Sequence, residues 1–178
     1  MILNNYKSMM NMVFSYNRIK HTFVNTSGVE EYIYVNVDSA YCGYILQSTA
    51  FSKLDTLATS TAGYGVVFGT GTTPPTPNDY TISGEQIKTI AATSQVSCIV
   101  NDDGSHDLIA EYVIHNTGST AFTIGEIAYI ATVVGGPAKT TSSNRPCMMD
   151  RTVLDVPVTV EADGVCQLTY KIKMSRTS

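Results

Sequence analysis

His21, His106 and His115 are the only histidines, so a serine or cysteine hydrolase built on this chain would have to take its base from one of them. None has a nucleophile context. The chain carries no G-x-S-x-G, and no cysteine stands in a protease signature. His106 falls in a predicted turn, and His115 ends a predicted strand. A glycosidase needs two carboxyl groups flanking one bond. Glu30, Glu31, Asp55, Glu85, Glu111 and Glu126 are the candidates, and their spacing brings no two together. We therefore expect no catalytic residue and no enzyme.

Gly69-Thr70-Gly71 raises the question of phosphate binding, because backbone amides in a glycine turn can cradle an anion. A P-loop needs Gly-Lys-Ser/Thr opening a helix, and here Pro74 and Pro75 follow. The glycines read instead as tight backbone turns. Asn101, Asp102, Asp103, Asp107 and Glu111 hold enough oxygens to suggest calcium, but they lack the rhythm and closing glutamate of an EF-hand. An ordinary Asp/Gly hairpin turn accounts for them. Cys42, Cys98, Cys147 and Cys166 lie far apart, without C-x-x-C or histidines at zinc spacing. They are expected to be reduced, mostly buried thiols, and no metal or cofactor is predicted.

Two charged residues stand inside apolar runs. Glu126 lies between Ile124 and Ile127, either buried with a partner or turned to solvent on a one-sided strand, and alternation favours solvent. Arg151 has the same ambiguity, and a Glu126–Arg151 ion pair would suit both. The tyrosines suggest a sugar-stacking platform, but the chain has no Trp. Tyr32, Tyr34, Tyr44 and Tyr64 read better as core or subunit-contact residues.

The elements that must position these residues are strands. Leu154, Val156, Val158 and Val160 share one face of a strand at 153–160 that contains Pro157, a residue confined to edges and bulges. After Ala162-Asp163-Gly164, Cys166, Leu168, Tyr170, Ile172 and Met174 alternate in a second strand, expected to run back beside the first as a hairpin. Another hairpin joins 95–101 to 107–115, with Leu108, Ala110, Tyr112 and Ile114 on one face. Further strands are expected at 122–134, 31–37, 43–47 and 64–68. Residues 49–59 carry helical spacing for one short amphipathic helix, and 85–92 for a turn or two. The segment 69–80, rich in Thr and Pro, is an extended loop, and 139–145 reads as an exposed loop. Seven or eight short strands joined by turns predict an all-β, antiparallel β-sandwich, jelly-roll or Ig-like, over 21–178, preceded by an N-terminal arm at 1–20.

Composition narrows the partners. At 178 residues one domain is expected, and 11 Lys+Arg against 15 Asp+Glu leave a net charge of -4 with no basic stripe for nucleic acid. Charged residues are 15% of the chain, against roughly 25% in an average soluble domain. Such a neutral, hydroxyl-rich surface suits protein contacts. No secretion signal or apolar run of membrane-spanning length is apparent, and Asn25-Thr26-Ser27 is a glycosylation sequon without a leader. A soluble protein made in a cytoplasm is expected.

Three ordered stretches carry a resemblance. Gly63-Tyr-Gly-Val-Val-Phe-Gly-Thr-Gly-Thr-Thr-Pro-Pro-Thr-Pro-Asn-Asp-Tyr80 resembles a glycine turn, Thr/Pro loop and Asp-Tyr pair of small virion structural proteins of tailed bacteriophages. His115-Asn-Thr-Gly-Ser119 with Phe122-Thr-Ile-Gly-Glu-Ile-Ala-Tyr129 is similar to a second stretch of those proteins, although Ala128 stands where they often have Gly. Met149-Asp-Arg-Thr-Val-Leu-Asp-Val-Pro-Val-Thr-Val160, ending in Leu168-Thr-Tyr-Lys-Ile172, resembles their terminal hairpin. The resemblance covers about 50–174 and implies a non-enzymatic role in a virion, with other virion proteins and further copies of itself as partners. A capsid decoration or cement protein is the first expectation. A neck, tail or fibre-base component is the second, and a carbohydrate-binding receptor module is the alternative of another class.

Overall fold

Among the described residues the chain folds as eight strands: β1 (Ile19–Val24), β2 (Glu30–Val35), β3 (Gly65–Gly69), β4 (Ile90–Val100), β5 (His106–Asn116), β6 (Phe122–Val134), β7 (Asn144–Val160) and β8 (Val165–Met174). The computed structural model describes residues 19–35, 54–58, 64–103, 105–134 and 144–174. All strand pairs are antiparallel. They form a β1-β2 ribbon and two three-stranded sheets, β3-β6-β7 and β4-β5-β8. The chain is an all-β, antiparallel β-sandwich.

The two sheets arise from one long ribbon folded across its middle. β6 pairs with β7 from Val134↔Asn144 to Phe122↔Val160. β5 pairs with β8 from His115↔Val165 onward, so the same two lines of chain continue their pairing in the other sheet. Both lines cross between sheets at 117–121 and 161–164. The expected β7–β8 hairpin is thereby corrected. The turn closes as expected, with the Gly164 amide donating to the Glu161 carbonyl at 2.9 Å and Asp163 at φ 56°. It passes β8 to the opposite sheet, where β8 pairs with β5.

Asn116, fully buried, ties the two crossings together. Its Nδ2 donates to the carbonyls of Thr120 (2.9 Å), Val160 (3.1 Å) and Glu161 (3.0 Å). Its Oδ1 accepts from the Gly118 amide at 2.9 Å, and its own amide donates to Gly164 O. Backbone groups exposed by the change of sheet are thus satisfied by one side chain.

Burial follows the alternation. On β5, Leu108, Ala110, Tyr112 and Ile114 are buried, while Glu111, Val113 and His115 are exposed. They meet Val66, Phe68, Ile124, Ile127 and Tyr129 of the other sheet in the main core. The Phe68 and Tyr112 rings meet edge-on at 5.4 Å. Tyr170 of β8 donates its hydroxyl across the core to Asp150 of β7, and Tyr112 donates to Leu54 O. The β3-β6-β7 sheet is covered on both faces: β3 is buried throughout, and Ala128, Ile130 and Met148 join Val67, Ala58 and Ile82 in a second cluster.

Other expectations meet the structure unevenly. The β4–β5 hairpin stands as read, and β4 begins at Ile90, so 90–92 are strand and not helix. Within the expected helix at 49–59, residues 54–58 form a turn and a bridge from Leu57 to Val66; helix is absent among the described residues. Pro157 lies in an irregular stretch, between Val153 opposite Glu126 and Val158 opposite Ile124. The predicted strand at 43–47 and most of the 139–145 loop lie outside the described residues, and Asn144 and Arg145 open β7. β1 begins at Ile19, inside the expected arm, whose residues 1–18 also lie outside.

Asn116→Ala is expected to lower the free energy of unfolding by about 2–3 kcal/mol through orphaned carbonyls. Asn116→Asp should cost more, because a carboxylate would face three carbonyl oxygens. Urea unfolding measures both, and a loss below about 0.5 kcal/mol would show that the corners hold without this side chain.

Candidate functional site

Glu126 and Arg151 meet on the outer face of the β3-β6-β7 sheet. Ala128 stands directly opposite Arg151, and Glu126 shares its face two residues away. Glu126 is 0% exposed and Arg151 2%. The expectation that Glu126 turns to solvent is therefore corrected: it is the buried, partnered carboxylate, because the chain covers this face. Residues 70–85 fold back over this side of the sheet, with the Thr70 amide donating to Glu85 O at 3.0 Å.

Every arm of the pair is used. Arg151 donates from Nε to Glu126 Oε2 at 2.6 Å, from Nη1 to Asp79 Oδ2 at 2.6 Å and from Nη2 to Thr73 O at 2.8 Å. Glu126 Oε1 accepts the amides of Gly71 (3.1 Å) and Gly84 (2.8 Å), and Oε2 accepts that of Ser83 (3.1 Å). Asp79 also accepts from the amide and hydroxyl of Thr76, at 3.0 and 2.7 Å, which closes the end of the loop. A buried ion pair is tolerable only when its remaining hydrogen-bonding capacity is met in this way.

The glycines serve close approach. A Cβ on Gly71 would lie 2.1 Å from Glu126 Oε1 and 2.0 Å from Ser83 Oγ, and one on Gly84 would lie 2.3 Å from the Gly71 amide. Neither has the positive φ of a tight turn. The reading of Gly69 and Gly71 as turn formers is replaced by a packing requirement, since Gly69 also lacks a positive φ and its Cβ would lie 2.9 Å from Glu126 Cγ: the backbone must approach a buried carboxylate.

Electrostatics make the cluster an anchor. Burial pushes the Glu126 carboxyl up, but the Arg151 guanidinium and the Gly84 and Ser83 amides outweigh it and hold the group below its ordinary value. Asp79 is likewise lowered: partial burial opposes, and the Thr76 hydroxyl and amide with Arg151 prevail. Both stay ionised near neutrality, which fits charge pairing and gives neither the raised pKa of a general acid. The loop that they hold presents Thr72, Thr73, Pro74, Thr76, Pro77 and Asn78 to solvent.

The two described histidines stay apart, while Asn101, Asp103 and Asp107 lie together at the β4–β5 turn. His106 and His115 are exposed on β5, at opposite ends of the strand; the side chain of His21 lies outside the described residues. Asp103 accepts from the Ser105 amide and hydroxyl, and Asp107 pairs with Lys171 at 2.6 Å. Among the described residues no group of His, Cys, Asp or Glu is placed to hold a metal. Cys147 is buried, Cys166 half-buried and Cys98 exposed, all free thiols, which corrects the expectation for Cys98; Cys42 lies outside the description. Of the four tyrosines singled out, Tyr64 is the one with a described side chain, and it is exposed. Among the described residues no helix is long and apolar enough to cross a membrane.

The reading of single residues missed Asp79, Ser83 and the covering role of 70–85. The one usable signal was chemical: two lone, opposite charges in neighbouring apolar strands need each other. Fold and site define an antiparallel β-sandwich with an ion-paired loop anchor. Searches of protein-family models, curated proteins and solved structures give no match to this chain.

Arg151→Met and Glu126→Gln should each cost about 3–5 kcal/mol, and the double variant less than their sum. The two carboxyls are depressed on folding, so their contribution is complete above their ordinary values of 4.5 and 3.8. It drains away as pH falls through the lower folded values. Urea midpoints between about pH 7 and pH 3 should fall on the acid side, and less so in Glu126→Gln. Equal acid sensitivity in both proteins would place the titrating groups elsewhere.

Proposed function

We propose that this chain is a non-enzymatic structural component of a tailed-phage virion, a capsid decoration protein that acts by protein contact. The carrying observation is the 70–80 loop. Its neutral Thr/Pro tip is exposed, while Arg151, Glu126 and Asp79 fasten its base to the sheet. A loop fixed before binding loses little conformational entropy on docking. The same loop lies in the first of the three stretches that resemble small virion proteins, and the sparse surface charge suits packing between neighbours. A place at the neck, tail or fibre base uses the same contacts. Exposed Tyr64 and Tyr80 favour the carbohydrate-binding alternative, which predicts chemical-shift changes at these rings in a glycan titration.

Cryo-electron microscopy of the intact particle tests the proposal. The chain is expected at regular lattice positions on the shell; density confined to the neck or tail selects the second placement, and absence from the particle overturns the virion role. In binding to purified capsids, Thr72→Glu should weaken affinity at least about tenfold, or ~1.4 kcal/mol, with an unchanged thermal midpoint. Undiminished binding would remove the loop from the interface.

A further inference from the structure

A β-sandwich must protect the unpaired edges of its sheets, because a free edge templates pairing with another strand. Three edges of this fold carry protection. β7 contains Pro146 and Pro157 and two register irregularities. β8 carries exposed Lys171 and Lys173. β3 is flanked by bridges to Leu57 and Gln86.

Among the described residues β4 has none of these devices. Its eleven residues, IAATSQVSCIV, include no charge, proline or glycine. It pairs with β5 in unbroken register over its whole length and with no other strand among the described residues. Val96, Ile99 and Val100 are 37%, 48% and 67% exposed. Val96 and Val100 stand on the core side of the sheet, opposite Ala110 and His106, where the first half of the strand is partly covered and the second half is open.

We propose that β4 is the interface strand for a second copy of this chain. Two β4 strands pair antiparallel about a two-fold axis at Gln95, joining the three-stranded sheets of both copies into one continuous sheet. In this register Ile90 of one copy stands opposite Val100 of the other, and Ala92 opposite Cys98, so the open half of each strand meets the covered half of its mate. Like faces meet like faces, as strand parity requires. Exposed Lys88 just before β4 comes opposite exposed Asp102 just after it, twice by symmetry, which supplies charge complementarity at both ends of an uncharged seam. Moving the axis to Val96 would set Ile90 against Asp102 and lose that match. The dimer is a property of the chain alone and does not depend on the virion role.

Light scattering on the full-length protein tests the pairing. At about 100 µM the wild type should show twice the chain mass of 19.2 kDa. Gln95→Lys and Gln95→Glu each place two like charges at the axis, and each alone should return the mass of one chain. An equimolar mixture should restore the dimer. Thermal unfolding establishes that both variants are folded, and Lys88→Glu with Asp102→Lys, which weaken the dimer singly and restore it when combined in one chain, provides a second reading of the same register. A monomeric wild type overturns the proposal. So does a dimer that both Gln95 variants leave intact, and one lost only on deletion of residues 1–18 would assign the contact to the N-terminal segment.

Discussion

A carboxylate and a guanidinium buried on the outer face of a sheet impose their requirements on everything around them. Glu126 needs donors on both oxygens, and two lines of backbone supply them at Gly71 and at Ser83–Gly84. Those amides reach it only because glycine leaves room. Arg151 has capacity beyond Glu126, and the loop returns Asp79 and the Thr73 carbonyl to meet it. Loop path, glycine positions and the covered outer face of β3-β6-β7 are thus consequences of one interaction. Apolar residues could seal that face as well or better, but the ion pair fixes the path of the loop through directional bonds.

The second organising element is Asn116, which does for the sheet corners what Arg151 does for the loop. Changing sheets interrupts two ladders at the same level, and several carbonyls lose strand partners together. One amide side chain between the crossings replaces them. Tyr170 and Asp150 add a polar contact between the layers, and burial holds the Tyr170 phenol well above its ordinary value, so it remains the donor.

Much of this was legible in the sequence, and the failures have physical causes. β5 was readable because its inner face meets the core and its outer face meets water, so period two survives unmixed. β6 was located by its β-branched run, but the irregularity between Ile124 and Glu126 breaks its alternation, and a strand covered on both faces does not report which side is inside. The β7–β8 turn was found and its outcome misjudged. Glu161 to Gly164 looks the same whether the chain reverses within one sheet or crosses to the next, and only the partner of β8, far away in sequence, decides between them. At 54–58 helical spacing misled because Leu54 and Ala58 are buried from a turn. The Glu126–Arg151 pair was legible as chemistry, whereas Asp79 was hidden in a loop where Asp is commonplace.

The folded ribbon also orders events in time. β5 and β8 are distant along the chain, and closing a loop of that size before any intervening structure exists is entropically expensive. Once β6 and β7 have paired, the lines leading into β5 and β8 already lie side by side, and the remaining ladder can propagate from that junction. Assembly should then resemble a zipper that runs from Val134↔Asn144 toward the corners and on to His106↔Met174. The chain would fold at the unhurried pace of proteins rich in non-local pairs, with the bend at Asn116 as the station through which the second sheet must pass.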